Sequence, residues 1–370
     1  MHERMLEEVA SLSGAFGAER TDRMRRSHLD PDDFSRLAAT GVSLLAIPED
    51  EGGMFRSPSE SIRLICDTYR LLAAGDPSVA LVAAMHPAVL AFWLCTPEVP
   101  GDANAAWHEQ RARIFQGVKD GAWWGTISSE PGSGGDHRRT KSTARQVDGR
   151  WLVSGAKHFG SGSGITSYML TTAVPEGEDC ADWFFVHTEG QPWDGSAGVA
   201  LVREWDGRGM CATQSHAMSF EDVVAERMGW PGHLDDLRVK AAAFGPTLFS
   251  AVIVGVVDAA MKAAHAKLDG AALGSYAQVE WADARMEAWT LAQVLEGMIS
   301  SVEQGGDPRV AIQGKVMSAK LAESVTARLC RVVGGSTFSQ SNPFGQWAED
   351  VRALGFLRPP WSLMYESLAG

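Results

Sequence analysis

Two short segments rich in serine and glycine carry residue types that could hold a flat, polar cofactor. The first, residues 128–136, reads Ser-Ser-Glu-Pro-Gly-Ser-Gly-Gly-Asp, and the second, residues 154–162, reads Ser-Gly-Ala-Lys-His-Phe-Gly-Ser-Gly. Short hydroxyl side chains can bond to the edge of a ring without bulk, and glycine lets backbone N–H groups approach a ligand closely. We therefore interpret the two segments as one cradle, joined across a short strand pair. Ordinary β-turns use the same residues, so the interpretation depends on the surrounding chain.

The composition and charge of the chain argue against several classes of function. Its 370 residues are 45% hydrophobic, which is enough for a large core and for two or three domains. A net charge of −13 argues against a surface for nucleic acid or for an anionic membrane. The five cysteines lack CxxC spacing, which predicts a cytoplasmic protein without a metal site. The apolar run 241–257 is the one candidate for a membrane span, but it contains Gly245, Pro246 and Gly255 and is flanked by Lys240 and Asp258, so it is interpreted as a buried core helix.

The helices and strands that must position the two segments are predicted from the residue patterns along the chain. Asp30 and Pro31 predict a helix start, and residues 75–78 predict a break between two helices. The runs 150–153, 168–172 and 183–186 are typical of short strands, whereas 237–268, 276–302 and 310–333 have helical periodicity. We predict an α+β protein with three parts. These are an N-terminal α-helical domain (1–119), a middle antiparallel β-barrel or sandwich (120–230) and a C-terminal four-helix bundle (231–370).

Within this order of elements, further motifs resemble the acyl-CoA dehydrogenase superfamily along nearly the whole chain. Residues 129–136 are similar to the family's Thr-Glu-Pro-x-x-Gly-Ser-Asp signature, with serine in place of threonine and Gly135 in place of serine. Matches of the same kind are found at residues 47–53, 155–159, 209–215, 220–223, 334–335 and 350–352. The resemblance implies an FAD-dependent oxidoreductase that removes two hydrogens from an acyl thioester, carried by CoA or an acyl-carrier protein, and passes electrons to an acceptor.

The resemblance also implies which residues bind the flavin. Ser129 and Ser161 would supply hydroxyl groups, and Phe159 would lie against the ring system. The full predicted cofactor set is Ile127, Ser128, Ser129, Gly134, Gly135, Phe159, Ser161, Gln278, Arg331, Gly334 and Gly335. Family members complete this site across a subunit interface, so a homodimer or homotetramer is expected.

Part of the expected diphosphate site is missing from this sequence. The family's arginine after the first bundle helix is absent, and Arg331 stands where the family has a glutamine. Arg331 could supply a cation from there, with Gln278 as a further candidate, or it could be a surface charge at a helix end.

The family's catalytic base is also missing. The two positions where the family carries its glutamate correspond to Arg358 and to the vicinity of Gly245, and neither is acidic. Dehydrogenation needs a carboxylate to take the α-proton, so the catalytic residue stays unknown. Glu366 is the carboxylate candidate that is left, while Asp350 is expected to form a structural ion pair. His86 and His158 are the catalytic candidates for a monooxygenase, where polar donors near the flavin are needed, although His86 is more typical of a buried or helix-end histidine.

Two alternatives follow from the missing base. Flavin-dependent monooxygenases of the same fold use reduced flavin, as FMN, with O₂ and small aromatic or apolar substrates, and some share the Lys-x-Phe-x-Ser-Gly spelling of residues 157–162. A family member that binds flavin or acyl thioester without turnover is the other alternative.

Overall fold

The computed structural model describes residues 2–357 and 359–369, and the order is helices, then strands, then helices. The N-terminal helices are α1 (His2–Ala18), α2 (Arg20–Arg23), α3 (Pro31–Ala39), α4 (Pro58–Gly75), α5 (Pro77–Leu94) and α6 (Ala103–Lys119). The strands are β1 (Trp124–Thr126), β2 (Thr143–Val147), β3 (Arg150–Gly160), β4 (Tyr168–Pro175), β5 (Asp182–His187), β6 (Val199–Arg203) and β7 (His216–Arg227). The C-terminal helices are α7 (Leu234–Lys240), α8 (Phe244–Leu268), α9 (Ser275–Glu303), α10 (Pro308–Val333), α11 (Pro343–Gly355) and α12 (Trp361–Ala369).

Helix starts follow the local signals in the sequence. The Asp30 carboxylate accepts the N–H of Asp32 in the first turn of α3, as the predicted cap requires. The break between α4 and α5 is confirmed at Asp76, which caps α5. The prediction of one helix over 237–268 was wrong, since α7 ends at Lys240 and α8 begins at Phe244. Pro246 has no N–H to continue the earlier helix, but it is tolerated in the first turn of a new one.

The seven strands form one closed sheet between the two helical regions. Strands β2, β3, β7, β5 and β4 form a ring, while β1 adds to β4 and β6 adds to β7. The predicted fold class is confirmed, although β1–β4 and β2–β4 are parallel pairs. The β2–β4 pair is parallel because β3 runs antiparallel to β2, and the chain reverses once more before β4 closes the ring beside β2.

The helical regions at the two ends of the chain pack against each other. One apolar core joins residues of α1, α4 and α5 with residues of α8 to α11, whereas the barrel has a smaller core of its own. The helices α4 and α8 approach closely at Gly255, where a Cβ would lie 2.1 Å from the carbonyl oxygen of Arg70. The division into three separate domains at residues 119 and 230 stays a prediction.

In the described part of the chain, two helices are long and apolar enough to span a membrane by length and composition. They are Pro77–Leu94 and Phe244–Leu268, and 78% of the 18-residue apolar window of each helix is buried inside the protein. The apolar run 241–257 noted in the sequence overlaps the second helix. Burial of this extent is what core helices of a folded protein show, because their apolar surface is covered by neighbouring elements.

Candidate functional site

The two segments singled out in the sequence meet at the end of the barrel. The N–H of His158, near the end of β3, donates to the carbonyl oxygen of Ser129 at 2.8 Å. Beyond Ser129 the chain turns through Gly132, Gly134 and Gly135, whose φ angles are 78°, 65° and 84°. Only glycine adopts these left-handed angles without strain, so this glycine turn depends on its sequence.

A buried ion pair anchors the glycine turn to the barrel. The Lys157 ammonium lies 2.6 Å from Oε1 of Glu130, and both side chains are buried. Lys157 also donates to the carbonyl oxygen of Thr172 at 2.6 Å. Glu130 accepts three further bonds, from Thr140 Oγ1, from Ser142 Oγ at 2.8 Å and from Lys141 N at 2.5 Å. Burial favours the neutral acid, but the bond and charge of Lys157 outweigh this effect and lower the pKa of the Glu130 carboxyl. Glu130 is therefore a structural anchor.

An aromatic face lies beside the glycine turn. Phe159 sits at an irregularity in the β3–β7 pairing, has a φ of 57° and leaves 57% of its surface exposed. Its ring packs edge-on against Trp205, with 6.1 Å between the centroids. A bulky residue at positive φ is costly and is found where function requires it. Phe159 thus offers an exposed, rigidly held aromatic face of the kind that a planar ring could cover.

Three hydroxyl groups form a connected array behind this aromatic face. Ser161 Oγ lies 2.7 Å from Ser215 Oγ, which lies 2.7 Å from Thr213 Oγ1. Thr213 Oγ1 in turn donates to the carbonyl oxygen of Met210 at 2.8 Å. Residues 209–215 resemble a family motif in the sequence, but Thr213 and Ser215 were not predicted to belong to the site. Nothing local signals them, because the array joins residues 54 positions apart.

Asp350 holds the turn that carries this array. Its Oδ1 accepts the N–H of Met210 at 2.7 Å and the side-chain amide of Gln346 at 2.9 Å. Burial raises the pKa of Asp350 to about 7, against the effect of these two bonds. The expected ion pair is not formed among the described residues, and both bonding partners are neutral N–H groups.

Two exposed basic residues, Arg139 and Lys141, follow the glycine turn in the chain. The ammonium of Lys141 lies 3.1 Å from the point where a Cβ on Gly132 would be. Arg139 and Lys141 are exposed and have no ion-pair partner in the described part of the chain. Backbone N–H groups in a left-handed turn, together with cations, form an anion site, and a phosphate is the anion that this geometry suits.

The C-terminal segment covers one side of the glycine turn. A Cβ on Gly135 would lie 2.6 Å from Cγ of Pro360. The buried ammonium of Lys315 donates to the carbonyl oxygens of Leu357 and, at 2.9 Å, of Pro359. Burial lowers the pKa of Lys315 to about 7. Lys315 therefore pins this segment against the site.

Four of the predicted cofactor residues lie elsewhere in the fold. Gln278 lies in the first turn of α9 and donates to the carbonyl oxygen of Leu273, and Gly334 and Gly335 follow the end of α10. Arg331, near the end of α10, lies 3.2 Å from the Glu280 carboxylate. A contribution of these residues to a cofactor site stays a prediction.

Two further predicted cofactor residues, Ile127 and Ser128, precede the glycine turn and are already bonded within the protein. Ile127 is buried, and its N–H and C=O both bond to β4. The Ser128 hydroxyl lies 3.2 Å from Nε2 of His137.

The three catalytic candidates occupy different environments. His86 is fully buried in α5, its Nδ1 accepts the N–H of Trp124, and burial lowers its pKa to about 3. His158 is partly exposed beside Phe159, with 6.3 Å between the rings, and is the one nearest the cradle. Glu366 is exposed on α12. Arg358, at the family's base position, lies outside the described residues.

The geometry as a whole suits a planar heteroaromatic ring that carries a phosphate. Phe159 would cover one face of the ring, Ser161 would bond to its edge, and the glycine turn with Arg139 and Lys141 would take the phosphate. Within residues 2–357 and 359–369, no heavy atom outside the neighbouring residues lies within 4 Å of a Cβ built on Gly134, so that part of the turn leaves space for a ligand.

Comparison with known proteins agrees with the fold and the motif order. A family model of the acyl-CoA dehydrogenase middle domain matches residues 125–223. The amino sugar nitrososynthase DnmZ of Streptomyces peucetius is 26% identical over 96% of this chain and 89% of its own length. Two solved structures cover nearly the whole chain. The dibenzothiophene monooxygenase TdsC of Paenibacillus sp. A11-2, in complex with FMN and indole, has 20% identity and a TM-score of 0.80, covering 99% of this chain and 96% of its own. Butyryl-CoA dehydrogenase of Megasphaera elsdenii has 16% identity and a TM-score of 0.83, covering 100% and 97%. With the glycine turn, the closed barrel and the helical bundle in this order, the chain has the acyl-CoA dehydrogenase fold, and its residues 125–223 match the middle domain of that family.

Proposed function

We propose that this protein is a flavin-dependent monooxygenase with the acyl-CoA dehydrogenase fold. The main observation in support is that the carboxylates near the site are either bonded to other groups or exposed. Glu130 forms an ion pair with Lys157, Asp350 accepts the N–H of Met210, and Glu366 is exposed on the last helix. A dehydrogenase needs a free carboxylate at the acyl α-carbon, whereas a monooxygenase does not.

The residues of the cradle would hold FMN. When bound in its reduced form, the flavin supplies the electrons that activate O₂. Phe159 orients the ring, and Ser161 bonds to its edge. The glycine turn, Arg139 and Lys141 hold a phosphate, and Arg331 is turned to Glu280, so the diphosphate of FAD has fewer anchors here.

One of the similar structures supports a small aromatic or apolar substrate. TdsC is a dibenzothiophene monooxygenase and was solved with FMN and indole, whereas DnmZ is a nitrososynthase of amino sugars, which are polar. The tryptophan-rich surroundings of the barrel, such as Trp123 and Trp124, are compatible with an apolar substrate.

A second candidate is α,β-dehydrogenation of an acyl thioester with bound FAD and an electron acceptor. The butyryl-CoA dehydrogenase fold favours it. A non-catalytic flavin or thioester carrier is the third.

Oxygen consumption separates the three candidates. The protein is supplied with FMN, NADH and a separate flavin reductase, and O₂ uptake and product mass are measured with indole or dibenzothiophene as probe. We expect probe-dependent uptake and a product heavier by one oxygen atom. Anaerobic bleaching of bound FAD by a panel of acyl-CoAs, without oxygenated product, would establish the dehydrogenase instead. Flavin binding with neither response would support the carrier.

We further propose that the protein is a cytoplasmic homodimer or homotetramer. Four large apolar side chains are exposed on α9, namely Tyr276, Val279, Met286 and Trp289, and Phe338 is 94% exposed. An apolar face of this size is typical of a subunit interface. Light scattering after size-exclusion chromatography measures the subunit number, and a monomer at micromolar concentration would contradict this proposal.

A further inference from the structure

We infer that the hydroxyl array fixes the Ser161 oxygen as a hydrogen-bond acceptor toward the flavin, so that the site prefers reduced flavin, which carries an N5–H group, over oxidised flavin. The inference rests on the proposed function, because it takes Ser161 to face the N5 edge of the ring. It assigns a role in cofactor selection to Thr213 and Ser215, which touch no predicted ligand.

Thr213, at the inner end of the array, sets the direction in which each hydroxyl group donates its hydrogen bond. The carbonyl oxygen of Met210 can only accept, so the 2.8 Å contact with Thr213 Oγ1 requires that Thr213 donates its single hydroxyl hydrogen there. The same carbonyl accepts the indole N–H of Trp205 at 2.8 Å. Turning the Thr213 hydroxyl away would bring two oxygen lone pairs face to face in a buried site, which is unfavourable.

The remaining directions follow by counting hydrogens. Because the Thr213 hydrogen is used, the 2.7 Å bond to Ser215 requires that Ser215 donates. Because the Ser215 hydrogen is then used, the 2.7 Å bond to Ser161 requires that Ser161 donates inward. Ser161 is left with lone pairs only on its other side. All three side chains are buried, so water is excluded as an alternative partner for the array.

The backbone around the array is held in a fixed shape. Met210 and Gln214 have φ angles of 53° and 48°, which are strained for residues other than glycine. Asp350 bonds the N–H of Met210, and the Gln214 side chain accepts the N–H of Leu29 at 3.2 Å. Strain that is held by long-range contacts marks a preorganised site.

Whether Ser161 accepts or donates a hydrogen bond affects oxidised and reduced flavin differently. Oxidised flavin presents lone pairs at N5 and O4, and these repel an acceptor. Reduced flavin presents an N–H donor at N5, which an acceptor at Ser161 satisfies. A site that binds reduced flavin in preference suits an enzyme supplied with reduced FMN by a separate reductase.

Anaerobic titration with oxidised FMN and with dithionite-reduced FMN tests the inference. We expect the wild type to bind reduced FMN about tenfold more tightly than oxidised FMN, the effect of one neutral hydrogen bond. The midpoint potential of bound FMN would then lie about 30 mV above that of free FMN.

The variant Thr213→Val keeps the side-chain shape but removes the hydroxyl. Ser215 can then donate to Ser161, Ser161 can donate to the ring, and the preference for reduced FMN should disappear. Thr213→Ser retains the hydroxyl and should retain the preference. Thermal unfolding of each variant checks that the fold is intact. A merely structural Thr213 would weaken binding of both redox forms equally.

The outcomes distinguish this inference from the proposed function. Failure to bind FMN in either redox state would overturn the proposed function. Equal affinity for the two states in the wild type, or an unchanged ratio in Thr213→Val, would overturn the inference while leaving the flavin site in place.

Discussion

The carboxylate of Glu130 and the ammonium of Lys157 lie 2.6 Å apart, with 3% and 0% of the two side chains exposed. This pair fastens the glycine turn to strand β3. Glu130 also accepts bonds from three other groups, which are Thr140 Oγ1, Ser142 Oγ and Lys141 N, and Lys157 also donates to the carbonyl oxygen of Thr172.

Removal of either partner of this pair should destabilise the protein, but to a different extent. Glu130→Ala leaves a buried ammonium without its carboxylate and should lower the free energy of unfolding by about 3–5 kcal/mol. Lys157→Met leaves a carboxylate that still has three donors, so a smaller loss is expected. Urea unfolding measures both. The exposed pair Arg145–Asp222 is the control, and Arg145→Ala should have little effect. A larger loss in Lys157→Met than in Glu130→Ala would contradict the argument.

Asp350 predicts a pH dependence of stability. Burial raises its pKa from 3.8 to about 7 in the folded protein. Between these values the folded state binds more protons than the unfolded state, so this group makes stability fall as pH rises from about 4 to 7. Asp350→Asn keeps an oxygen that can accept the N–H of Met210 and removes the titration. The variant should therefore gain stability relative to the wild type at pH 8 but not near pH 4.

Urea unfolding at several pH values measures this difference. The variant Glu349→Gln changes the neighbouring, partly exposed carboxylate and serves as the control. An identical pH dependence in wild type and Asp350→Asn would refute the assignment.

Gly135 predicts a contact between the glycine turn and the C-terminal segment. A Cβ at Gly135 would lie 2.6 Å from Pro360, whereas a Cβ at Gly134 would meet no described residue within 4 Å. Both glycines have positive φ, so each alanine variant carries backbone strain of about 1–3 kcal/mol. Only Gly135→Ala should also displace the segment. Hydrogen exchange in residues 359–369 should accelerate in Gly135→Ala and not in Gly134→Ala. Equal exchange rates in the two variants would contradict the predicted contact between Gly135 and Pro360.

Arg139 and Lys141 predict recognition of a phosphate. Arg139→Gln and Lys141→Met should each weaken FMN binding about tenfold, since each removes a charge-assisted bond. Riboflavin lacks the phosphate and is the matched control, so its affinity should change little. Fluorescence titration at low and high salt measures both ligands. Equal losses for FMN and riboflavin would place the phosphate elsewhere.

The sequence by itself determined the order of helices and strands, the helix start at Asp30 and the place of the glycine turn. These features depend on capping, periodicity and the φ angles open to glycine, all of which act over a few residues. Only the tertiary structure decided how Asp350 is used, because its bond to Met210 spans 140 positions. It also revealed Thr213 and Ser215 behind Ser161, as well as the parallel β2–β4 pair. The direction of a hydrogen bond and the burial of a charge depend on which distant segments meet, and no local pattern in the sequence encodes that.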